Sequence, residues 1–104
     1  MYYYNGKNKT DNEGGRIIWS KDHDNTKTIS DVYSDRLHDW DAPKYNECAI
    51  KVFGKPTQCF DGKTPEDINI FLNLYFGKEV NLIMIKRYIN AFNGYPYWYF
   101  MFEE

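Results

Sequence analysis

The ten residues NGYPYWYFMF at positions 93–102 decide the fold, because six of them are aromatic and belong in a core or a contact surface. In an extended strand, successive side chains point to opposite faces of the sheet. The apolar face of this strand would carry Pro96, Trp98, Phe100 and Phe102. The other face would carry Tyr95, Tyr97, Tyr99 and Met101. A tyrosine between core and solvent can bury its apolar ring and leave its hydroxyl in contact with water. We therefore expect a core strand whose second face is lined by tyrosines.

Residues 79–92 supply the nearest partner for this strand, and their sequence fits two structures. As a strand, their valine and isoleucine content is favourable, and Asn93-Gly94 is the strongest short signal for a two-residue hairpin turn. As a helix, they would place Lys86, Arg87 and Asn90 together on one side. We prefer a C-terminal β-hairpin, since the aromatic strand needs a partner, and keep a third helix at 79–92 as the alternative.

A two-residue turn would also fix the pairing within the hairpin. It places Tyr88 opposite Tyr99 on the tyrosine face and Ile85 opposite Phe102 on the core face. The remaining pairs would be Phe92 with Tyr95, Asn90 with Tyr97, Ala91 with Pro96, and Ile89 with Trp98. Arg87 would then point into the core opposite Phe100, where it could stack on the ring or be turned outward by a bulge.

Two helices are predicted from their caps and apolar spacing. Asp41 can cap the first helix, which carries Pro43 in its first turn and ends at Gly54. Its apolar stripe is Tyr45, Cys48, Ala49, Val52 and Phe53. Thr64 can cap the second helix, with Pro65 at its first position. The stripe of the second helix is Ile68, Phe71, Leu72 and Tyr75, and Gly77 ends it.

The rest of the chain gives weaker signals. Residues 16–19 read as a short strand, 20–28 as a loop, and 29–37 as a turn or short helix. With 104 residues, we expect one α+β domain over 1–104, in which two capped helices pack on an antiparallel sheet. Residues 1–15 are polar apart from three tyrosines, and we expect them to be loosely ordered.

Charge and composition favour a protein partner over nucleic acid. The net charge is −2, whereas a nonspecific nucleic-acid binder needs a basic face to replace counterions. Residues 20–47 account for the whole deficit, with four basic and seven acidic side chains. The N-terminal residues lack the pattern of a signal peptide, and no apolar run is long enough to span a membrane. Two cysteines are too few to indicate a disulfide-stabilised secreted protein. We therefore expect a cytoplasmic protein with no membrane partner.

The acidic segment holds the candidate polar sites. Asp22-His23-Asp24 and the stretch 35–41, DRLHDWD, bring carboxylates and imidazoles close together, as a divalent cation requires. The spacing matches no known metal motif, and turns and a helix cap explain the same aspartates. Cys48 belongs to an apolar stripe, and Cys59 lies in a loop without a visible activating group. Phosphate-binding loops, dinucleotide fingerprints and nucleophile elbows are absent, so we expect no cofactor.

Two classes of function follow from these observations. The first is a small non-catalytic binding protein that occludes a partner. In size, acidic charge and lack of motifs the chain resembles phage-encoded inhibitors of host defence nucleases, the anti-CRISPR type, which act in the bacterial host cell. The expected partner-binding residues are Asp35, Asp39, Trp40, Asp41, Tyr88, Tyr95, Tyr97 and Tyr99. The second is a small enzyme or a ligand or metal site on Asp35, His38 and Asp39. Separately, a terminal strand at a sheet edge would allow a homodimer.

Overall fold

The computed structural model describes residues 15–103, and within them the chain forms a four-stranded sheet covered by three helices. The elements in order are β1 Arg16–Ser20, β2 Ile29–Tyr33, α1 Ser34–Trp40, α2 Ala42–Phe53, α3 Pro65–Phe76, β3 Asn81–Ile89 and β4 Pro96–Glu103. The strand order across the sheet is β1-β3-β4-β2, with every neighbouring pair antiparallel. The predicted α+β class with a C-terminal hairpin is confirmed, and the alternative of a third helix at 79–92 is wrong.

The two predicted helices begin and end where their capping residues lie. The Asp41 carboxylate accepts the backbone N–H of Lys44 at 3.1 Å, and the Thr64 hydroxyl accepts that of Asp67 at the same distance. Gly54 and Gly77 end the helices with φ of 84° and 69°, a left-handed conformation that favours glycine. Local capping chemistry was therefore sufficient to locate α2 and α3.

The segment 29–37 divides into a strand and a helix, where the sequence indicated only a turn or short helix. Ile29–Tyr33 pairs along its length with β4, from Glu103 to Tyr99. The chain leaves the sheet at Ser34, whose hydroxyl accepts the backbone N–H of Trp98 at 2.9 Å. The helix-like spacing of apolar residues was misleading because the ladder with β4 takes the first half of the segment into the sheet.

The core lies between one face of the sheet and the helices. Trp98 and Phe100 are fully buried, and Phe60 packs edge-on against both rings at centroid distances of 5.5 and 5.2 Å. Phe71 of α3 meets Phe60 at 5.6 Å from the helix side. The predicted burial of Trp98, Phe100 and Phe102 is thus confirmed. Cys48 is buried on α2 as expected, and Cys59 is exposed.

The predicted hairpin register is wrong by two residues. Tyr88 lies opposite Tyr97 instead of Tyr99, and Ile85 lies opposite Phe100 instead of Phe102. Ile89 pairs with Pro96, and residues 90–95 form a longer loop in place of the two-residue turn. The paired side chains from Ile85 to Ile89 and from Pro96 to Phe100 nevertheless keep their predicted faces, because a shift of two residues preserves the alternation of a strand.

Arg87 occupies the core face of the hairpin, opposite Trp98. Its guanidinium carbon lies 5.9 Å from the centre of the Trp98 ring, and its Nε lies 3.3 Å from a carboxylate oxygen of Asp61. Stacking on an aromatic ring was one of the outcomes expected for Arg87, but the expected ring was Phe100 and the observed ring is Trp98.

The expectation of loose order at residues 1–15 concerns a segment of which only Gly15 is among the described residues.

Candidate functional site

The short helix α1 presents most of the predicted acidic residues to solvent. Its inner side is held by Leu37, which is fully buried and whose carbonyl accepts the Tyr75 hydroxyl at 3.1 Å. Asp35 and Asp39 stand one turn apart on the exposed side. Trp40 ends the helix with 67% of its surface exposed, which is unusual for the residue type.

Trp40 borders a small apolar depression next to the edge strand β2. The depression has a volume of about 150 Å³, and Phe76 and Phe102 form part of its lining. Asp31 of β2 is also part of the lining and is exposed. We use the name acidic patch for the exposed residues Asp31, Asp35, Asp39, Trp40 and Asp41. Asp39 and Asp41 are the sequence neighbours of Trp40, and Asp31 and Lys78 line the same depression as Trp40.

The tyrosine face is largely closed by its own rings. Tyr88 and Tyr99 are each only 8% exposed, although the helices cover the other side of the sheet. Tyr33 joins the cluster, with its ring centre 5.5 Å from Tyr88, 5.7 Å from Tyr97 and 5.2 Å from Tyr99. Tyr88 stacks on Tyr97 at 5.2 Å, and Gly15 passes over the Tyr88 ring so closely that a Cβ there would lie 2.6 Å from it. Tyr88 and Tyr99 therefore act as packing residues.

One hydrogen bond links the tyrosine cluster to the acidic patch. The Tyr99 hydroxyl donates to a carboxylate oxygen of Asp31 at 2.9 Å. Burial raises the pKa of the Tyr99 hydroxyl, and the bond to Asp31 raises it further. The hydroxyl therefore remains a donor at neutral pH and holds the Asp31 carboxylate against the tyrosine cluster.

The predicted tyrosines separate into three environments. Tyr97 is half-buried and shares a depression of about 290 Å³ with Tyr33, Asp35, Arg36 and Asn90. Burial raises the pKa of Tyr97, with smaller contributions from Tyr33 and Asp35. Tyr95 is exposed in the hairpin loop and lines a different groove, since the loop is too long to place it in the ladder. The structure thus brings Tyr97, but not Tyr95, beside the acidic patch.

The alternative site on Asp35, His38 and Asp39 does not assemble as a ligand set. His38 turns its ring edge-on to Tyr45 at 5.6 Å, and its Nδ1 lies 3.8 Å from an Asp39 oxygen. Asp35 instead lines the depression beside Tyr97. Over residues 15–103, no three His, Cys, Asp or Glu side chains are close enough together to hold a metal ion.

Sequence reasoning missed Asp31 and Tyr33, which connect the two predicted surfaces. Both belong to the acidic segment 20–47, but their role depends on β2 pairing with β4, a contact across about seventy positions of the chain. The strand pairing was the missing signal, because the segment was expected to be a turn or short helix. Asp31 could have been added to the acidic candidates from its charge alone.

Comparisons with protein-family models, with curated proteins and with solved structures give no match for this chain. Within the part of the chain that the structure describes, no helix has the length and apolar character needed to cross a membrane.

Proposed function

We propose that this chain is a small non-catalytic binding protein that acts by covering a basic, nucleic-acid-binding surface of a partner protein. The observation that carries the proposal is Trp40, an exposed tryptophan at the end of a helix, which Asp39 and Asp41 flank in sequence and which lines the same depression as Asp31. Interface hot spots are commonly aromatic anchors that enter a pocket on the partner. Carboxylates around such an anchor select a basic partner and speed its association.

The scaffold supports this role because it holds the patch in place before binding. Asp41 is fixed by its capping bond to Lys44, Asp31 by its bond to Tyr99, and α1 by the Tyr75 bond to Leu37. A surface already in its binding geometry loses less conformational entropy on association. We assign the buried residues Tyr88 and Tyr99 to this support, and Tyr97 to the rim of the contact.

A phage-encoded inhibitor of a host defence nuclease is the particular kind of protein we propose. Such an inhibitor would place its carboxylates where the phosphates of the nucleic acid normally bind, since both are anionic. The small size and the acidic segment 20–47 support this narrower proposal.

Affinity capture from a bacterial lysate tests the proposal with three tagged proteins. The wild-type chain should retain a basic partner, and a Trp40→Ala, Asp39→Lys double variant should lose it. Loss of an aromatic hot spot weakens binding by about 2 kcal/mol or more, which is roughly thirtyfold. Both positions are exposed, so the double variant should melt close to the wild-type temperature.

The matched control is Phe92→Ala, which removes an aromatic side chain that is 98% exposed in the hairpin loop. Phe92 is not part of the acidic patch, so this variant should recover the partner as well as the wild type does. Recovery of the same partners by the double variant would contradict the proposal. Loss of the partner by Phe92→Ala alone would move the contact to the hairpin loop.

A further inference from the structure

The outer edge of β2 is the more open of the two edges of the sheet. Among the strands that the structure describes, β1 and β2 are the outer ones, and each pairs with one neighbour. The β1 ladder is interrupted by a bulge between Ile17 and Trp19, and a bulge protects an edge against further pairing. The β2 ladder runs from Ile29 to Tyr33 without an irregularity. A regular edge of this kind can accept one further strand.

The hydrogen bonds of β4 show which backbone groups of β2 point outward. The Trp98 N–H donates to Ser34, the residue after β2, so it points to the β2 side of β4. Because backbone groups alternate in direction along a strand, Phe100 points the same way and bonds its partner Val32. The N–H and C=O of Asp31, the residue before Val32, are therefore directed away from β4. Asp31 is exposed, and within residues 15–103 the only strand beside β2 is β4.

The depression beside Trp40 opens along this edge. Three successive residues of β2 line it, namely Ser30, Asp31 and Val32. Since successive side chains of a strand point to opposite faces, a depression bordered by all three lies at the edge of the strand. Trp40, Phe76 and Phe102 make much of the remaining lining apolar. The volume of about 150 Å³ suits one aliphatic side chain.

We propose that an extended segment of the partner protein adds to the outer edge of β2 as an antiparallel strand, with a basic residue opposite Asp31 and an aliphatic residue in the depression beside Trp40. The proposal rests on the proposed function and specifies how the acidic patch holds the partner. Main-chain hydrogen bonds give strand addition its affinity, and pockets for alternate side chains give it specificity. The residue opposite Asp31 shares its face of the sheet, and the two neighbours of that residue point to the helix side.

The charge of Asp31 decides between a partner segment and a second copy of this chain. The carboxylate accepts the Tyr99 hydroxyl, which lies on the face away from the helices. Opposite charges directly across an antiparallel pair are stabilising, and like charges are destabilising. Pairing of β2 with β2 of a second copy along its five residues would set two Asp31 carboxylates opposite each other. On the helix side Lys78 lines the depression, which favours an aliphatic over a basic side chain there.

Two capped peptides in which lysine alternates with valine test the edge on the full chain. One carries N-methyl groups on its valines, whose N–H groups face away from β2 in the proposed pairing. The other carries them on its lysines, whose N–H groups face Asp31, so the two peptides have the same charge and composition. In ¹⁵N-correlated NMR spectra we expect the valine-methylated peptide, at up to millimolar concentration, to shift the Asp31 backbone and Trp40 indole N–H signals saturably. The lysine-methylated peptide should leave both signals in place.

A pair of neutralising variants tests the basic residue of the segment. Asp31→Asn keeps an acceptor for the Tyr99 hydroxyl and removes the charge, so it should weaken binding of the valine-methylated peptide roughly two- to fivefold. Asp22→Asn makes the same change at an exposed position in the loop before β2 and should bind the peptide as the wild type does. Equal affinities of Asp31→Asn and the wild type would contradict a basic residue opposite Asp31.

The remaining outcomes concern the edge itself. Equal shifts with both peptides, or no shift with either, would overturn strand addition. A shift of the Asp31 signal with protein concentration in the absence of peptide would place a second copy at the edge and also overturn the proposal. The peptides act without the partner, so their failure leaves the result of affinity capture intact. Failure of the proposed function alone would appear as peptide binding at the edge with no basic partner captured.

Discussion

At the residue scale, Glu103 shows how one side chain can fix a loop that the sequence leaves undefined. One of its carboxylate oxygens accepts the backbone N–H of Asp24 at 2.8 Å and the Nδ1 of His23 at 2.9 Å. The other accepts the side-chain amide of Asn81 at 2.6 Å. These bonds join the 21–28 loop and β3 to the end of β4. The hydrogen bonds from Asp24 and His23 lower the pKa of Glu103.

We expect Glu103→Gln to destabilise the chain at neutral pH and to matter less in acid. Because the pKa is lower in the folded than in the unfolded state, the ionised carboxylate stabilises the fold above the usual glutamate value of about 4.3. That stabilisation disappears as the pH falls through the lowered folded-state pKa. Thermal melts between neutral and acidic pH should show the gap between wild type and variant closing.

The control for this experiment is Glu79→Gln, which makes the same change at an exposed position. It should melt within a degree or two of the wild type at every pH, as surface substitutions usually do. A gap for Glu103→Gln that stays constant with pH would show that the ionised carboxylate contributes nothing.

At the element scale, two asparagines attach α3 to the start of β3. Asn69 donates to the Val80 carbonyl at 3.1 Å and accepts the Leu82 N–H at 2.7 Å. Its side-chain amide therefore bonds to the backbone at the start of β3 as the peptide group of a neighbouring strand would. Asn73 accepts the Val80 N–H at 2.7 Å. Asparagine on a helix ordinarily indicates a solvent-facing position, so the sequence gives no sign of this role.

We expect Asn69→Ala to lower the free energy of unfolding by about 1–3 kcal/mol, because it leaves partly buried backbone groups of Val80 and Leu82 unpaired. Urea denaturation measures the change. Asn25→Ala, at an exposed loop position, is the matched control and should shift stability by no more than about 0.5 kcal/mol. Equal effects of the two substitutions would contradict the role of Asn69.

The hairpin shows which features of an element can be read from sequence. Alternation predicted the faces of β3 and β4, since only the apolar set tolerates burial under helices. The turn was not predictable from Asn93-Gly94 alone. Asn90 and Asn93 each accept a backbone N–H two residues further along, at 2.8 and 2.9 Å. These asparagine turns stabilise a longer loop and shift the register by two residues.

At the scale of the whole molecule, β4 lies in the centre of the sheet, between β3 and β2. The hypothesis of a homodimer through an exposed terminal strand therefore loses its basis, since both edges of β4 are paired. Trp40 and Asp39 were predicted as partner-binding residues from the acidic segment 20–47, and both are exposed in the structure. The depression that Asp31 shares with Trp40 depends on the long-range pairing of β2 with β4 and could not be predicted from local patterns.

Displacement of nucleic acid tests most directly whether the acidic patch occludes a partner. Labelled nucleic acid is bound to the partner recovered by affinity capture, and the wild-type chain or the Trp40→Ala, Asp39→Lys variant is then added. We predict that the wild type releases the nucleic acid in competition and that the variant needs roughly thirtyfold more protein to do so. A complex in which partner, nucleic acid and wild-type chain all remain bound together would contradict occlusion.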